Sequence, residues 1–377
     1  MKFKISKTKV TKVHKKIAII LGTRPEIIKM SPVIRACQKK RIDFFILHTG
    51  QHYSKELDLD IFADLQLPPP KYNLSLGGLE YRKQLSGMVS HITKILLKEK
   101  PKVVIVQGDT NSVLAGALAA NKLGILVAHH EAGLRSGDLT MPEEVNRIIV
   151  DQISDFLFVP TETALENLRT EGLKPSKIKL VGNTIVDAVK QNIAIAEKRS
   201  QILKDLNLTA KNYFLVTAHR AENVDIKNRL QNIILGLEKV GKKYSLPIIW
   251  PIHPRAQKQI KEFNIKLGGE IRVIPPCGFL DFLMLEGNAK AILTDSGGVQ
   301  EEAFILNIPC ITLRDNTERP ETIEHGKNIL AGTNPDTIEE ATEEILKKFN
   351  KEINNIFGDG QTGEKIIKYL EQKLLNL

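Results

Sequence analysis

The feature that most constrains this chain is a recurring unit: a short aliphatic run, a polar turn, then a helical pattern. The runs are Ile17–Leu21, Phe44–His48, Val103–Gln107, Ile125–His129, Phe156–Val159, Ile178–Val181, Tyr213–Thr217, Ile248–Trp250, Ile271–Ile274, Ala291–Thr294 and Cys310–Leu313. Short runs rich in Val, Ile and Leu describe strands buried on both faces. Their alternation with helices describes parallel sheets joined by right-handed crossovers. About ten such strands in 377 residues exceed one core, so two doubly wound α/β domains are expected.

Open parallel sheets bind ligands beyond the carboxyl ends of their strands, near the point where strand order reverses. The polar clusters stand at such ends. Gly22-Thr23-Arg24-Pro25-Glu26 follows the first run and Gly50-Gln51-His52 the second. Gly108-Asp109-Thr110 and His130-Glu131-Ala132-Gly133 follow the next two. Ala218-His219-Arg220 and Asp295-Ser296-Gly297-Gly298 do so in the second half.

Charge gives little else. The net +10 comes largely from seven lysines among residues 1–16, beyond which 47 basic residues face 44 acidic ones. This reads as a solvated basic arm on a nearly neutral body. Nucleic acid is not expected as a partner. Neither is a membrane, since no run of about 18 apolar residues occurs. Cys37, Cys277 and Cys310 form neither a C-x-x-C pair nor an even set, which fits a reducing, cytoplasmic setting.

Gly358-Asp359-Gly360-Gln361-Thr362-Gly363 matches G-x-G-x-x-G, but a helical pattern precedes it and 14 residues follow. A dinucleotide site needs a preceding strand and a following βαβ unit, so this segment reads as a turn before a final helix. That helix carries Ile366, Leu370, Leu374 and Leu377 on one face. No nicotinamide cofactor is expected. His129-His130-Glu131 lies on a strand, where neighbours point to opposite faces, and lacks further ligands at zinc spacing, so no metal is expected either.

The chemistry-bearing residues each allow two readings. Asp295-Ser296-Gly297-Gly298 opens a helix whose free N–H groups suit a phosphate, with Glu302 a turn later to accept from ribose hydroxyls; otherwise it is a capped tight turn. Arg24 and Lys29 either face an anion together or are surface cations. Asp109 is an active carboxylate or an N-cap, whereas Glu131 after its strand is harder to explain as a cap. Glu143 and Arg147 are site residues or an i, i+4 surface pair. His219 beside Arg220 binds or protonates a departing phosphate, or simply ends a strand.

Taken in order, these motifs resemble the non-hydrolysing UDP-N-acetylglucosamine 2-epimerase family. They include Gly-Thr-Arg-Pro-Glu, Gly-Gln-His, Gln-Gly-Asp-Thr, His-Glu-Ala-Gly-Leu-Arg, Pro-Glu-Glu-x-Asn-Arg, His-Arg-x-Glu-Asn, Asp-Ser-Gly-Gly-x-Gln-Glu-Glu-Ala and Arg-Asp-x-Thr-Glu-Arg-Pro-Glu, spread from about Ile17 to the chain end. The resemblance implies two Rossmann-like domains facing a cleft in GT-B style. They are a domain over 17–181 that carries the catalytic acids and a UDP-binding domain over 182–357. The segment 358–377 would return to the first domain, and the basic arm would take 1–16. It further implies a homodimer.

By motif position, Asp109, Glu131 and Glu143 match the family's catalytic acids, and Arg147 and His219 its catalytic Arg and His. Arg24 and Lys29 match substrate-facing cations. Ser296, Gly297, Gly298 and Glu302 match the UDP site, and Phe282 the uracil position. Gln51, His52 and Arg220 match an allosteric substrate site; regulated bacterial members carry a second Gln three residues after the first, where this chain has Ser54. The implied reaction converts UDP-N-acetylglucosamine to UDP-N-acetylmannosamine through elimination of UDP, 2-acetamidoglucal and re-addition, supplying amino sugar for surface polysaccharide or glycan synthesis. A hydrolysing epimerase and a glycosyltransferase are the alternatives, and a polyanion-binding protein is a third of another class.

Overall fold

The computed structural model describes residues 16–51, 55–78, 81–350, 352 and 356–375. Most of the basic arm (residues 1–15), together with His52, Ser54 and Leu377, lies outside the described residues. Lys16 is described, and it belongs to the folded body: its ammonium pairs with Glu99 and lies 5.5 Å from the Phe45 ring centroid.

Among the described residues, thirteen strands form two wholly parallel sheets flanked by helices. The first holds β1 (Ile17–Leu21), β2 (Phe44–His48), β3 (Tyr72–Asn73), β4 (Val103–Gln107), β5 (Leu126–His130), β6 (Phe156–Val159) and β7 (Ile178–Leu180), in spatial order β3-β2-β1-β4-β5-β6-β7. The second holds β8 (Phe214–Thr217), β9 (Ile248–Pro251), β10 (Ile271–Ile274), β11 (Ile292–Thr294), β12 (Cys310–Thr312) and β13 (Asn328–Leu330), in order β10-β9-β8-β11-β12-β13. In each sheet the order reverses beside its first strand, giving switch points at β1/β4 and β8/β11. Every residue of β1 and β4 is buried, as the unbroken apolar runs demand for strands covered on both faces.

Internal contacts divide the chain into two units. One takes the described parts of Met1–Leu59, Pro68–Val181 and Gly363–Leu377; the other takes Asp60–Leu67 and Gly182–Thr362. In the second unit Trp250, Phe214, Val216 and Leu293 pack with the helix Lys227–Tyr244 on one sheet face, while Tyr213, Leu215 and Ile249 pack on the other.

The fold differs from the sequence expectation at its margins. β5 runs one residue later than Ile125–His129, so it ends at His130. β3 and β13 were not anticipated: they have two and three residues, lie at sheet edges and include Asn73 and Asn328. A strand that short leaves too little apolar period to detect.

The final helix, Thr362–Leu375, belongs to the first unit. Tyr369 stands edge-on to Phe156 and Phe158, with ring centroids 6.0 and 5.7 Å away. Gly363 lets the helix start lie against Pro32, whose carbonyl carbon would be 2.7 Å from any Cβ there. Pro32 sits inside the helix Arg24–Lys39 and has no N–H for the Ile28 carbonyl. The Ser31 hydroxyl donates to that carbonyl instead, at 2.8 Å. Gly358 and Gly360 take φ of +117° and +86° in the turn before the final helix. The Phe357 carbonyl in that segment accepts from the Asn183 N–H at 2.7 Å.

Candidate active site

In the first unit the loops after β1, β4 and β5 carry most of the ionisable candidates. Gly22 leaves β1 where a Cβ would stand 2.0 Å from Ser112 Oγ and 2.2 Å from Thr49 Oγ1. Only glycine fits. Thr23 then caps the helix Arg24–Lys39 in a Thr-x-x-Glu box, with Glu26 reaching back. Glu26 Oε2 accepts from the N–H groups of Gly22 (2.5 Å) and Thr23 (3.2 Å), and Oε1 from the Thr110 hydroxyl (2.5 Å). One buried carboxyl thus joins the loops on both sides of the switch point. Burial pushes its pKa up to about 7 against the lowering effect of those donors.

Asp109 ends its loop in an ion pair with Arg147, which also donates to Glu144 at 2.7 Å. Arg147 lies on the helix Pro142–Ile153. The fork therefore spans Asp109 and Glu144, and the i, i+4 surface pair with Glu143 is not what holds Arg147; the Glu143 side chain is exposed. Glu144 is buried and also accepts from Ser136 N and Gly137 N. Asn146 donates to the Asp109 carbonyl at 2.9 Å.

Glu131 is buried and pairs with Lys29 at 2.6 Å, while Gln107 donates to its other oxygen. Its φ is +66°, a left-handed conformation that costs a non-glycine residue about 1 kcal/mol or more and clusters at functional sites. Lys29 is thus paired with Glu131, whereas Arg24 is exposed. Gln51 accepts from Ser112 N (3.0 Å) and Ser112 Oγ (2.7 Å), so its carboxamide caps the helix Asn111–Lys122.

The histidines beside Glu131 are explained without a metal. His130 is fully buried, and desolvation lowers its pKa to about 4. His129 is bonded through Nδ1 to Asp151 (2.7 Å) and through Nε2 to the Gly108 carbonyl (2.8 Å). No group of three or more metal-ligating side chains occurs among the described residues.

In the second unit the loops after β8 and β11 meet on Asp295. This buried carboxylate accepts from the N–H groups of His219 (2.9 Å) and Arg220 (2.9 Å) and from Asn223 (3.2 Å), and lies 3.4 Å from His219 Nδ1. The ring of His219 stays partly exposed, 5.6 Å from that of His253. Ser296 precedes the helix Gly297–Leu306. A Cβ on Gly297 or Gly298 would meet nothing nearer than 3.6 and 3.9 Å, so neither neighbouring atoms nor a positive φ requires glycine there. Bare N–H groups at a helix start are what a phosphate needs.

Glu302 sits one turn along, facing Glu286. Burial and then the Glu302 charge raise Glu286 well above the carboxylate range, so the pair holds a proton. Phe282 is half-buried and packs against the apolar cluster that includes Leu285 and Val299. Sequence reasoning quoted Glu26, Glu144 and Asp295 inside motifs but gave them no role. Thr23-x-x-Glu26 was a legible capping signal; the burial of Glu144 and Asp295 left none.

Two doubly wound parallel sheets with charged loops at both switch points define a GT-B-like α/β protein. A profile described as UDP-N-acetylglucosamine 2-epimerase matches residues 35–371, and the chain belongs to that family. It is 56% identical over 361 residues to a UDP-N-acetylglucosamine 2-epimerase of Methanocaldococcus jannaschii, covering 94% of this chain and 98% of the relative. A crystal structure of the Methanocaldococcus jannaschii enzyme in complex with UDP-GlcNAc and UDP is similar at a TM-score of 0.85 and 56% identity, over 95% of this chain and 99% of that one. The chain is also 40% identical to a UDP-2,3-diacetamido-2,3-dideoxy-D-glucuronate 2-epimerase of Pseudomonas aeruginosa, covering 94% and 99%.

Proposed function

We propose that this chain interconverts UDP-N-acetylglucosamine and UDP-N-acetylmannosamine without hydrolysis. C2 of the sugar has no adjacent carbonyl, so its proton is not acidic in the ground state. Breaking the C1–O bond to UDP develops positive charge at C1 and acidifies C2–H. A carboxylate among Asp109, Glu131 and Glu143 takes that proton, C1=C2 forms and UDP leaves with the electron pair. The 2-acetamidoglucal is then protonated on its other face while UDP oxygen returns to C1.

The observation that carries this reading is the pairing of acids with cations at the first switch point, Asp109 with Arg147 and Glu131 with Lys29. Such pairs hold carboxylates in place where a cation develops. In the second unit His219, Arg220, Ser296 and the Gly297–Gly298 helix start suit the departing diphosphate, Glu302 the ribose and Phe282 the uracil. Likeness to a protein crystallised with UDP-GlcNAc and UDP supplies the choice of sugar. Cytoplasmic supply of amino sugar for polysaccharide synthesis, by a homodimer, completes the reading.

Proton NMR in D2O, with neither NAD nor metal added, tests it. UDP-N-acetylmannosamine with deuterium at C2 of both sugars is the expected result. Free UDP with N-acetylmannosamine would instead show a hydrolysing enzyme. No exchange at all would favour a glycosyltransferase. A preference for a UDP-2,3-diacetamido sugar acid, as the name of the Pseudomonas aeruginosa relative suggests, would change the substrate but keep the chemistry.

A further inference from the structure

We propose that His129 and Asp151 are positioning residues, a buried histidine–aspartate pair that aligns the three segments carrying Asp109, Glu131 and Arg147. The inference rests on the epimerase reading for the roles of those three, and on four contacts for the alignment.

Both ring nitrogens of His129 face acceptors: Nδ1 meets Asp151 Oδ1 at 2.7 Å and Nε2 meets the Gly108 carbonyl at 2.8 Å. Each contact engages one ring nitrogen, so the ring orientation is fixed from both sides. The second contact holds the residue before Asp109. Asp151 Oδ2 accepts from Gly133 N at 3.0 Å, two residues past Glu131, and from Arg135 at 2.8 Å. Asp151 itself lies one turn after Arg147 on the helix Pro142–Ile153. One pair therefore ties the loop after β4, the loop after β5 and that helix.

The arrangement has no slack. His129 and Asp151 are both fully buried. Gly133, at φ +80°, stands where a Cβ would be 2.2 Å from the Ala164 carbonyl oxygen. Burial opposes the charge of Asp151, yet His129, Arg135 and Gly133 N–H together hold it below the usual carboxylate range. None of these donors belongs to the second unit, so the pair acts on the acids and leaves the proposed UDP loop untouched.

The test uses the full chain with Asp151→Asn, His129→Gln and the double variant. Epimerisation kcat, KM and UDP affinity by calorimetry are measured beside wild type. A misalignment of reacting groups lowers kcat by about 10²-fold. UDP affinity should stay at the wild-type level, and the double variant should fall no further than either single one, because the pair works as a unit. Wild-type kcat in a folded variant would overturn the proposal. So would a double variant whose losses multiply, or a parallel loss of UDP binding. Should the buried variants fail to fold, Arg135→Ala removes one donor from Asp151 nearer the surface. A several-fold loss of kcat at unchanged UDP affinity is then expected, and no loss overturns the idea. An inactive wild type would instead remove the epimerase reading itself.

Discussion

Glu26 and His130 are both buried in the first unit and pull stability in opposite directions with pH. Burial raises Glu26 to about 7 in the folded chain against 4.5 for an ordinary glutamate. Between those values the folded chain binds the extra proton, so this group lowers stability as pH rises. His130 titrates near 4 when folded against 6.5. Between those values the unfolded chain binds the extra proton, so stability rises with pH. The two oppose each other from about pH 4.5 to 6.5. Urea unfolding of Glu26→Gln should therefore show stability rising across that window by up to about 3 kcal/mol. His130→Val should show the reverse slope, and parallel slopes in both would contradict the assignment. At the ion pairs, Arg147→Lys loses the fork that reaches Asp109 and Glu144 together. A kcat loss of about tenfold or more at little change in KM is expected in the epimerase assay.

At the scale of elements, the start of the helix Gly297–Leu306 separates binding from folding. Alanine is the better helix former by about 1 kcal/mol, and a Cβ on Gly298 makes only an ordinary contact, with Ser296 Oγ at 3.9 Å. Gly298→Ala should therefore hold or raise the melting temperature while weakening UDP binding about tenfold or more, read by calorimetry. Unchanged UDP affinity would leave those glycines without a ligand role. Gly363→Ala should do the opposite: a Cβ 2.7 Å from the Pro32 carbonyl carbon forces the final helix outward, costing about 1–3 kcal/mol in thermal unfolding.

Both elements could be located from sequence because their signals are local: a strand, two glycines, a helix; or a glycine turn before an amphipathic stretch. The interior strands were legible for the same reason, being unbroken apolar runs. β3 and β13 were not, because two or three edge residues carry no period. In the site, residue types at strand ends were legible, but partner choice was not. Nothing in the spacing says that Arg147 takes Asp109 and Glu144 over Glu143, or that Lys29 takes Glu131. The pairs of Arg147 with Asp109 and of Lys29 with Glu131 join segments 38 and 102 residues apart in sequence.

The two sheets repeat one plan over the whole molecule. Each reverses its order beside its first strand, and each sets a buried carboxyl there that joins the two flanking loops: Glu26, in the loop after β1, also accepts from Thr110 after β4, and Asp295, after β11, accepts from His219 and Arg220 after β8. Charge is distributed less evenly, since beyond residue 16 the basic and acidic residues nearly balance. Removing residues 1–15 should leave kcat unchanged and abolish any binding to a polyanion column at moderate salt. A truncated enzyme that lost activity would give the arm a part in the fold or the reaction.

The final helix has a consequence for how such a chain is made. Its packing partners, Phe156 and Phe158, leave the ribosome about 200 residues earlier, which is some 10–40 s of elongation. Throughout that interval the first unit waits with the patch that Tyr369 will cover still open to water. The intervening unit can meanwhile finish folding on its own. Completion of the older half is thus postponed until the final helix emerges, and a nascent chain stalled before Gly363 would carry a sticky, chaperone-attracting face rather than a slightly shortened enzyme.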